Sequence, residues 1–300
     1  MSVLRTVEAV PSRVAGVGRY LAIRTNGEER AKVEAMLSPP RLGKGNTNMI
    51  KQVISECLNM SLLETTGENG DKLALSPAAS ETLKRGQVSA EAMRELLGEL
   101  LLTPDNDRNH DLCQMLAWFL AQDIVALYNG LEARNKSEAL IKELDAQFGN
   151  SWTGTKNKEQ LDNFCFWAIY LGLGRLISTR ADNSERLLPD PTHYIIASLP
   201  ALFGEASEMG LPEFLERLTQ RCPVFEGGSF YGEIKHYLKT REAEYLPSSM
   251  ALALSRLRYR GIVELERRAD APGRLMPNTA ERYTHIVWKR SGKTRSRRRS

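Results

Sequence analysis

Cysteine and histidine are scarce, four of each in 300 residues, and neither type clusters. Cys57, Cys113, Cys165 and Cys222 contain no CxxC pair, and His110, His193, His236 and His285 are as scattered. A metal centre needs such ligands bunched at short spacing, so no metal is expected and the thiols read as buried free cysteines. Apolar runs stay short of the roughly 18 residues that a membrane-crossing helix requires. The stretch from Met1 to Pro11 lacks a charged start followed by an apolar segment, so no secretory leader is read there. A cytoplasmic protein with no membrane partner is the expectation. Cofactor signatures are missing as well: there is no GxxxxGK[ST] loop, no GxGxxG after a strand and no GxSxG elbow. Asp105, Asp107 and Asp111, with His110 among them, would need further acids to hold a metal, and serve a polar loop and helix cap unaided. No cofactor and no catalytic residue is expected, and the chain reads as not an enzyme.

The residues that are present describe a folded protein. A hydrophobic fraction of 42% and a charged fraction of 26% are ordinary for a globular chain, and the length suggests two or three domains. The net charge of +4 is unevenly spread: Lys289–Ser300 holds seven basic residues and no acid, leaving residues 1–288 at −3. A run such as Arg295, Arg297, Arg298 and Arg299 has nothing to pack with and is expected to be disordered. It would condense on phosphates with salt-sensitive, sequence-blind affinity.

Helical periodicity dominates. Val14, Val17, Leu21 and Ile23 predict a helix near 13–24, and Ala31, Val33, Met36 and Leu37 a second near 28–37, which Pro39 and Pro40 stop. Asn46 or Thr47 can cap a third helix with the apolar stripe Ile50, Val53, Ile54, Cys57 and Leu58. A strand at 61–65, a turn holding the Asn69-Gly70 step, and a return through Leu73–Pro77 predict a hairpin. Three helices followed by such a hairpin make a winged helix, with the third helix presenting its free face as a recognition element. Helices are also predicted near 78–85, 89–102, 109–130, 135–149 and 157–171.

The helix-then-hairpin ending returns twice. Near the C-terminus a helix from about 248 to 260, capped by Ser248 or Ser249, precedes a strand at 261–265, a tip at 268–273 and a return at Arg274–Pro277. In the middle, a helix ending at Tyr170 precedes strands at 174–178 and 186–189. Uneven spacing between the copies excludes a fixed-period solenoid. The expected fold is therefore mainly α, with winged-helix units joined by a helical middle region. Its parts are an N-terminal winged helix (1–88), a helical middle ending in a degenerate unit (89–205), a C-terminal winged helix (206–288) and a basic tail (289–300).

A helix that reads DNA needs polar and basic residues on its outward face. In the first unit these are Asn46, Thr47, Asn48, Lys51, Gln52 and Ser55, with Arg41 and Lys44 in the preceding turn. Asn and Gln suit adenine, and Lys and Arg suit phosphate or guanine. The wing tip, with Glu68 and Asp71 against Lys72, is acidic. The middle unit reads as structural or dimer-forming. The last unit is the most basic: Arg256, Arg258, Tyr259 and Arg260 end its helix, and Arg267, Arg268 and Arg274 decorate the wing. Tyr283–Trp288 reads either as an aromatic element beside arginines, suited to single strands, or as a plain edge strand.

With Leu37-Ser38-Pro39-Pro40 ahead of the third helix, a helical middle and a terminal winged helix, the layout resembles the DpdG family of bacterial systems that place 7-deazaguanine in DNA and restrict unmodified DNA. The resemblance implies a non-catalytic, DNA-associated accessory component of a phage-defence or restriction–modification assembly. Its partners would be DNA, contacted largely through phosphates, and other proteins of the system. The layout is also similar to tandem winged-helix proteins that act as dimeric adaptors in condensin-like complexes. A winged-helix transcription regulator is a third reading, and homodimerisation stays open.

Overall fold

The periodicity above is realised: the computed structural model is mainly α, with small sheets. It describes residues 2–39, 48–84, 88–103, 107–129, 136–149, 157–178, 185–238, 242–277, 279 and 281–290. Among these, no helix is long and apolar enough to cross a membrane. The chain divides into two compact units, one made of residues 1–116 and 131–187, the other of 117–130 and 188–300.

In the first unit, α1 (Pro11–Ala22) opens with proline at its first position, where the missing N–H costs nothing. It buries Val14, Val17 and Leu21. Strand β1 (Glu28–Glu29) runs directly into α2 (Arg30–Leu37), and α3 (Asn48–Asn59) leads to β2 (Leu63–Thr66) and β3 (Lys72–Leu75). The sheet order is β1-β3-β2, with Leu73 opposite both Glu28 and Thr65. Gly27 makes the close approach feasible: its φ is +69°, and a Cβ there would collide with the Leu73 carbonyl oxygen. Ile50, Val53, Ile54 and Cys57 of α3 are buried, so the predicted stripe is the inward face. The turn residues that were to cap α3 lie outside the described residues.

The chain continues through α4 (Pro77–Lys84), α5 (Ala90–Leu101), α6 (His110–Ala121), α7 (Ile124–Asn129), α8 (Lys136–Phe148) and α9 (Lys158–Tyr170) to the hairpin β4 (Gly174–Ser178) and β5 (Glu185–Pro189). Side-chain caps explain two of these starts. Ser89 Oγ accepts the Ala92 N–H at 3.0 Å, and Asn157 Oδ1 accepts the Glu159 N–H at 2.9 Å. The single helix expected over 109–130 is broken into α6 and α7, because Asp123 Oδ1 accepts the Val125 N–H at 2.7 Å and starts a new helix. Helix α9 fastens the N-terminal segment: Asn163 Nδ2 donates to Val3 O at 2.6 Å and Trp167 Nε1 to Ala9 O at 3.0 Å. Trp167, Val3 and Leu4 are fully buried. Large apolar side chains buried in this way stabilise by roughly 1.5–3 kcal/mol each.

The second unit contains α10 (Thr192–Phe203), β6 (Glu208–Gly210), α11 (Leu211–Arg221), α12 (Ser229–Ile234), α13 (Ser248–Tyr259), β7 (Val263–Glu266), β8 (Arg274–Leu275), β9 (Arg282–Tyr283) and β10 (His285–Trp288). Its sheet order is β6-β10-β7, with Ile286 opposite both Met209 and Leu265. With the short α12 and the β8–β9 hairpin set aside as insertions, the order α1-β1-α2-α3-β2-β3 returns as α10-β6-α11-α13-β7-β10. In both series the last strand is central and the first runs straight into the next helix.

Two sequence expectations are corrected here. The return strand of the last hairpin is β10, not Arg274–Pro277, so within the stretch Tyr283–Trp288 it is His285–Trp288 that supplies a central strand rather than an edge. Residues 274–275 instead pair with 282–283 in a separate small hairpin. Pro277 cannot donate to a ladder, and Gly273 passes so close to the Tyr283 carbonyl that a Cβ would collide. The second correction concerns Ser248 and Ser249. The N-cap position of α13 is Pro247, with no side-chain cap, and both hydroxyls bond elsewhere.

Candidate nucleic-acid interface

Helix α3 separates its faces cleanly. Asn48, Lys51, Gln52 and Ser55 are exposed, while Ile50, Val53, Ile54 and Cys57 are buried opposite. Neither Lys51 nor Gln52 has an ion-pair or hydrogen-bond partner among the described residues. Glu56, the acid of the helix, is turned inward, where its carboxylate accepts the Thr6 hydroxyl at 2.7 Å. The outward face therefore carries amide, hydroxyl and ammonium groups without an opposing carboxylate, which is the chemistry that base edges and phosphates accept. Asn48, Lys51 and Gln52 come together as predicted, whereas Arg41, Lys44, Asn46 and Thr47 lie outside the described residues. The β2–β3 tip exposes Glu68, Asp71 and Lys72, so its acidic character stands.

The arginines of the second unit behave otherwise, because most are tied to the protein itself. Arg256 pairs with Asp190, which is 2% exposed and also accepts the Thr192 N–H at 3.2 Å. Arg258 donates to the Tyr283 hydroxyl at 2.5 Å, and that hydroxyl donates to Glu281 at 2.5 Å. Arg267 pairs with Glu281 and lies 5.4 Å over the Tyr283 ring. Arg268 bridges Glu208 at 2.9 Å and Glu266 at 2.7 Å. This pairing holds the Glu208 carboxyl below the usual carboxylate range, with the Arg268 hydrogen bond as the largest cause. Arg274 pairs with Glu226 at 2.9 Å. Tyr259, 93% exposed, and Arg260 remain at the surface. A paired guanidinium can meet a phosphate only by giving up its acid, so this surface is far less cationic than its arginine count implies.

The start of α13 is also occupied. Ser248 Oγ accepts the Ile124 N–H at 3.0 Å and donates to Gln122 O at 3.2 Å, and Ser249 Oγ donates to Leu120 O at 2.5 Å. Ser249, Met250, Ala251, Ala253, Leu254 and Leu257 are buried, which leaves α13 outward mainly at Ser255, Arg258 and Tyr259. The N-terminal part of a recognition helix is the part that enters a groove, and here residues 120–124 cover it.

The DpdG-like family model matches residues 1–271. The chain belongs to that family. No curated protein and no solved structure matches it.

In this DpdG-like chain the matched residues take in the whole first unit and the second as far as the loop after β7. Of the basic residues beyond Trp288, Lys289 and Arg290 are held in the fold. Lys289 Nζ pairs with Glu264 at 2.5 Å, and Arg290 donates to Ala206 O at 2.9 Å and lies 4.8 Å over the Trp288 ring. Arg295, Arg297, Arg298 and Arg299 lie outside the described residues. Among the described residues no three His, Cys, Asp or Glu side chains gather as a metal site. All four cysteines are buried as thiols outside any disulfide, and burial raises the Cys222 thiol to about 12, far from nucleophilic. One cluster escaped sequence reasoning: Arg19 of α1, Arg94 of α5 and Tyr170 of α9. These three converge from positions with no local pattern, and only the packing of their helices brings them together.

Proposed function

We propose that this DpdG-like protein is a non-catalytic, DNA-associated accessory component of a prokaryotic 7-deazaguanine modification and restriction system, acting in the cytoplasm beside other proteins of that system. Family membership supports the setting. The DNA contact rests on one observation: α3 holds Asn48, Lys51, Gln52 and Ser55 outward while its opposite side is locked in the core. We read α1, α2 and α3 with β2 and β3 as a winged helix whose recognition element is α3. The matching series in the second unit we read as a winged helix turned to scaffolding, since its third helix is covered at the start and most of its arginines are paired.

The test is fluorescence anisotropy of the full chain with labelled duplex DNA over a salt series. Binding should fall steeply with salt. The double variant Lys51→Ala, Gln52→Ala should bind about ten- to thirtyfold more weakly with an unchanged melting temperature. Equal affinity of that variant and the parent would defeat the reading of α3. The alternative, a protein–protein adaptor, is favoured by the arginine pairing in the second unit. It predicts no DNA binding by the isolated protein and co-purification with a partner of the same system.

A further inference from the structure

Tyr170 Oη and Arg94 Nε are buried polar atoms with no hydrogen-bond partner. Both are donors, and the Arg94 guanidinium carbon lies 6.0 Å from the Tyr170 ring centroid. Arg19, exposed on α1, acts electrostatically on the same phenol, whose ionisation burial opposes. Neither arginine has an ion-pair or hydrogen-bond partner among the described residues. The acid that feels both, Glu91, is engaged first with its own backbone N–H and with Ser89, at the start of α5. Two unspent cations and a phenol thus converge around unsatisfied donors. Buried donors in natural proteins are paired with protein, with ordered water, or with a ligand or ion, and beside two cations an anion is the partner that charge favours. The two guanidinium groups can only donate and the phenol can donate with them, so the complementary species is an anion with several oxygen atoms.

We propose that Arg19, Arg94 and the Tyr170 hydroxyl form an anion site that takes a backbone phosphate of nucleic acid bound to the first unit. Arginine offers the planar, forked donors that phosphate oxygens accept in pairs. Exposed Arg19 makes the site reachable from solvent. Helix α1, which carries Arg19, packs on α3 and on α5, which carries Arg94, so the site and the outward face of α3 belong to one packed body. The inference rests on the reading of α3 as the DNA-contacting helix, and it adds a second, sequence-blind contact that positions rather than reads.

The experiment compares the full chain with three variants, using a fluorescein-labelled duplex in anisotropy across a salt series. The double variant Arg19→Gln, Arg94→Gln should lower the slope of log affinity against log salt by about one, the signature of one lost phosphate contact. Tyr170→Phe removes one oxygen and keeps the packing. It should weaken binding about fivefold, the loss expected for one hydrogen bond, and it decides the matter if the arginine variant fails to fold. Lys51→Ala, Gln52→Ala tests the α3 reading separately. Parental slope and affinity in both the arginine and tyrosine variants, beside a weakened α3 variant, would overturn the phosphate site and leave the α3 reading standing. A parent chain that binds no DNA would overturn both.

Discussion

Single arginines show how far a residue's identity is from its role. Arg256, Arg258, Arg267, Arg268 and Arg274 are cationic in any sequence, and their partners Asp190, Tyr283, Glu281, Glu208 and Glu226 are brought to them only by folding. Arg256→Ala therefore tests stability, not binding. It leaves Asp190 buried with the Thr192 donors but no countercharge, and loss of one member of a buried pair costs several kcal/mol. About 2–3 kcal/mol is expected in urea unfolding, with DNA affinity unchanged. Arg268 supports a pH test. Glu208 titrates below its ordinary value of 4.5 because of Arg268, so its pairing stabilises the fold above that value and the contribution disappears as pH falls through and below it. The parent should melt higher than Arg268→Gln at pH 7, and the gap should shrink as pH falls below 4.5. A gap that widened in acid would contradict the assignment. What was legible at this scale was α3, where apolar and polar residues alternate at helical spacing and each face declares itself. The arginine pairs were not, because their partners lie up to 66 positions away in the chain.

At the scale of elements, apolar periodicity with the Pro39 breaker located most helices within a residue or two, and the structure supplies the local starts at Pro11, Ser89 and Asn157 that the periodicity did not name. Strand pairing was harder. A short apolar pair ending at proline looks alike whether it returns in a hairpin or leaves the sheet, and the choice between 274–275 and 285–288 turned on a tertiary partner, β6. The covered start of α13 was equally hidden, because two adjacent serines after a proline read as caps when their actual partners are backbone groups of residues 120–124. This contact makes a measurable claim. Ser249→Ala removes the donor to Leu120 O and leaves that carbonyl unpaired beside a buried helix, which should cost about 1–2 kcal/mol. The loss should appear in urea unfolding of the full chain, and an unchanged midpoint would mean that this hydroxyl does not hold α13 in place.

At the scale of the whole molecule, the same order of helices and strands occurs twice with opposite surface chemistry. The first series leaves its third helix polar and open. The second covers the start of its third helix and pairs most of its arginines. Beyond the contacts of the first unit, further non-specific attraction can come from the sequence after Arg290, which is basic and holds no acid. Lys289 and Arg290 are committed to Glu264 and to the Ala206 carbonyl, so the segment to remove is 291–300, which carries Lys293, Arg295, Arg297, Arg298 and Arg299. A chain ending at Arg290 keeps β10 and every contact of the fold described above, so its melting temperature should match the parent's. Its affinity for duplex DNA at low salt should fall about tenfold or more, as several phosphate contacts vanish. The ratio of affinities between the parent and the Lys51→Ala, Gln52→Ala variant should persist in the shortened chain if the two act as independent contacts, because independent sites add. Loss of that ratio on shortening would mean that the basic residues and α3 engage the same stretch of DNA as one site.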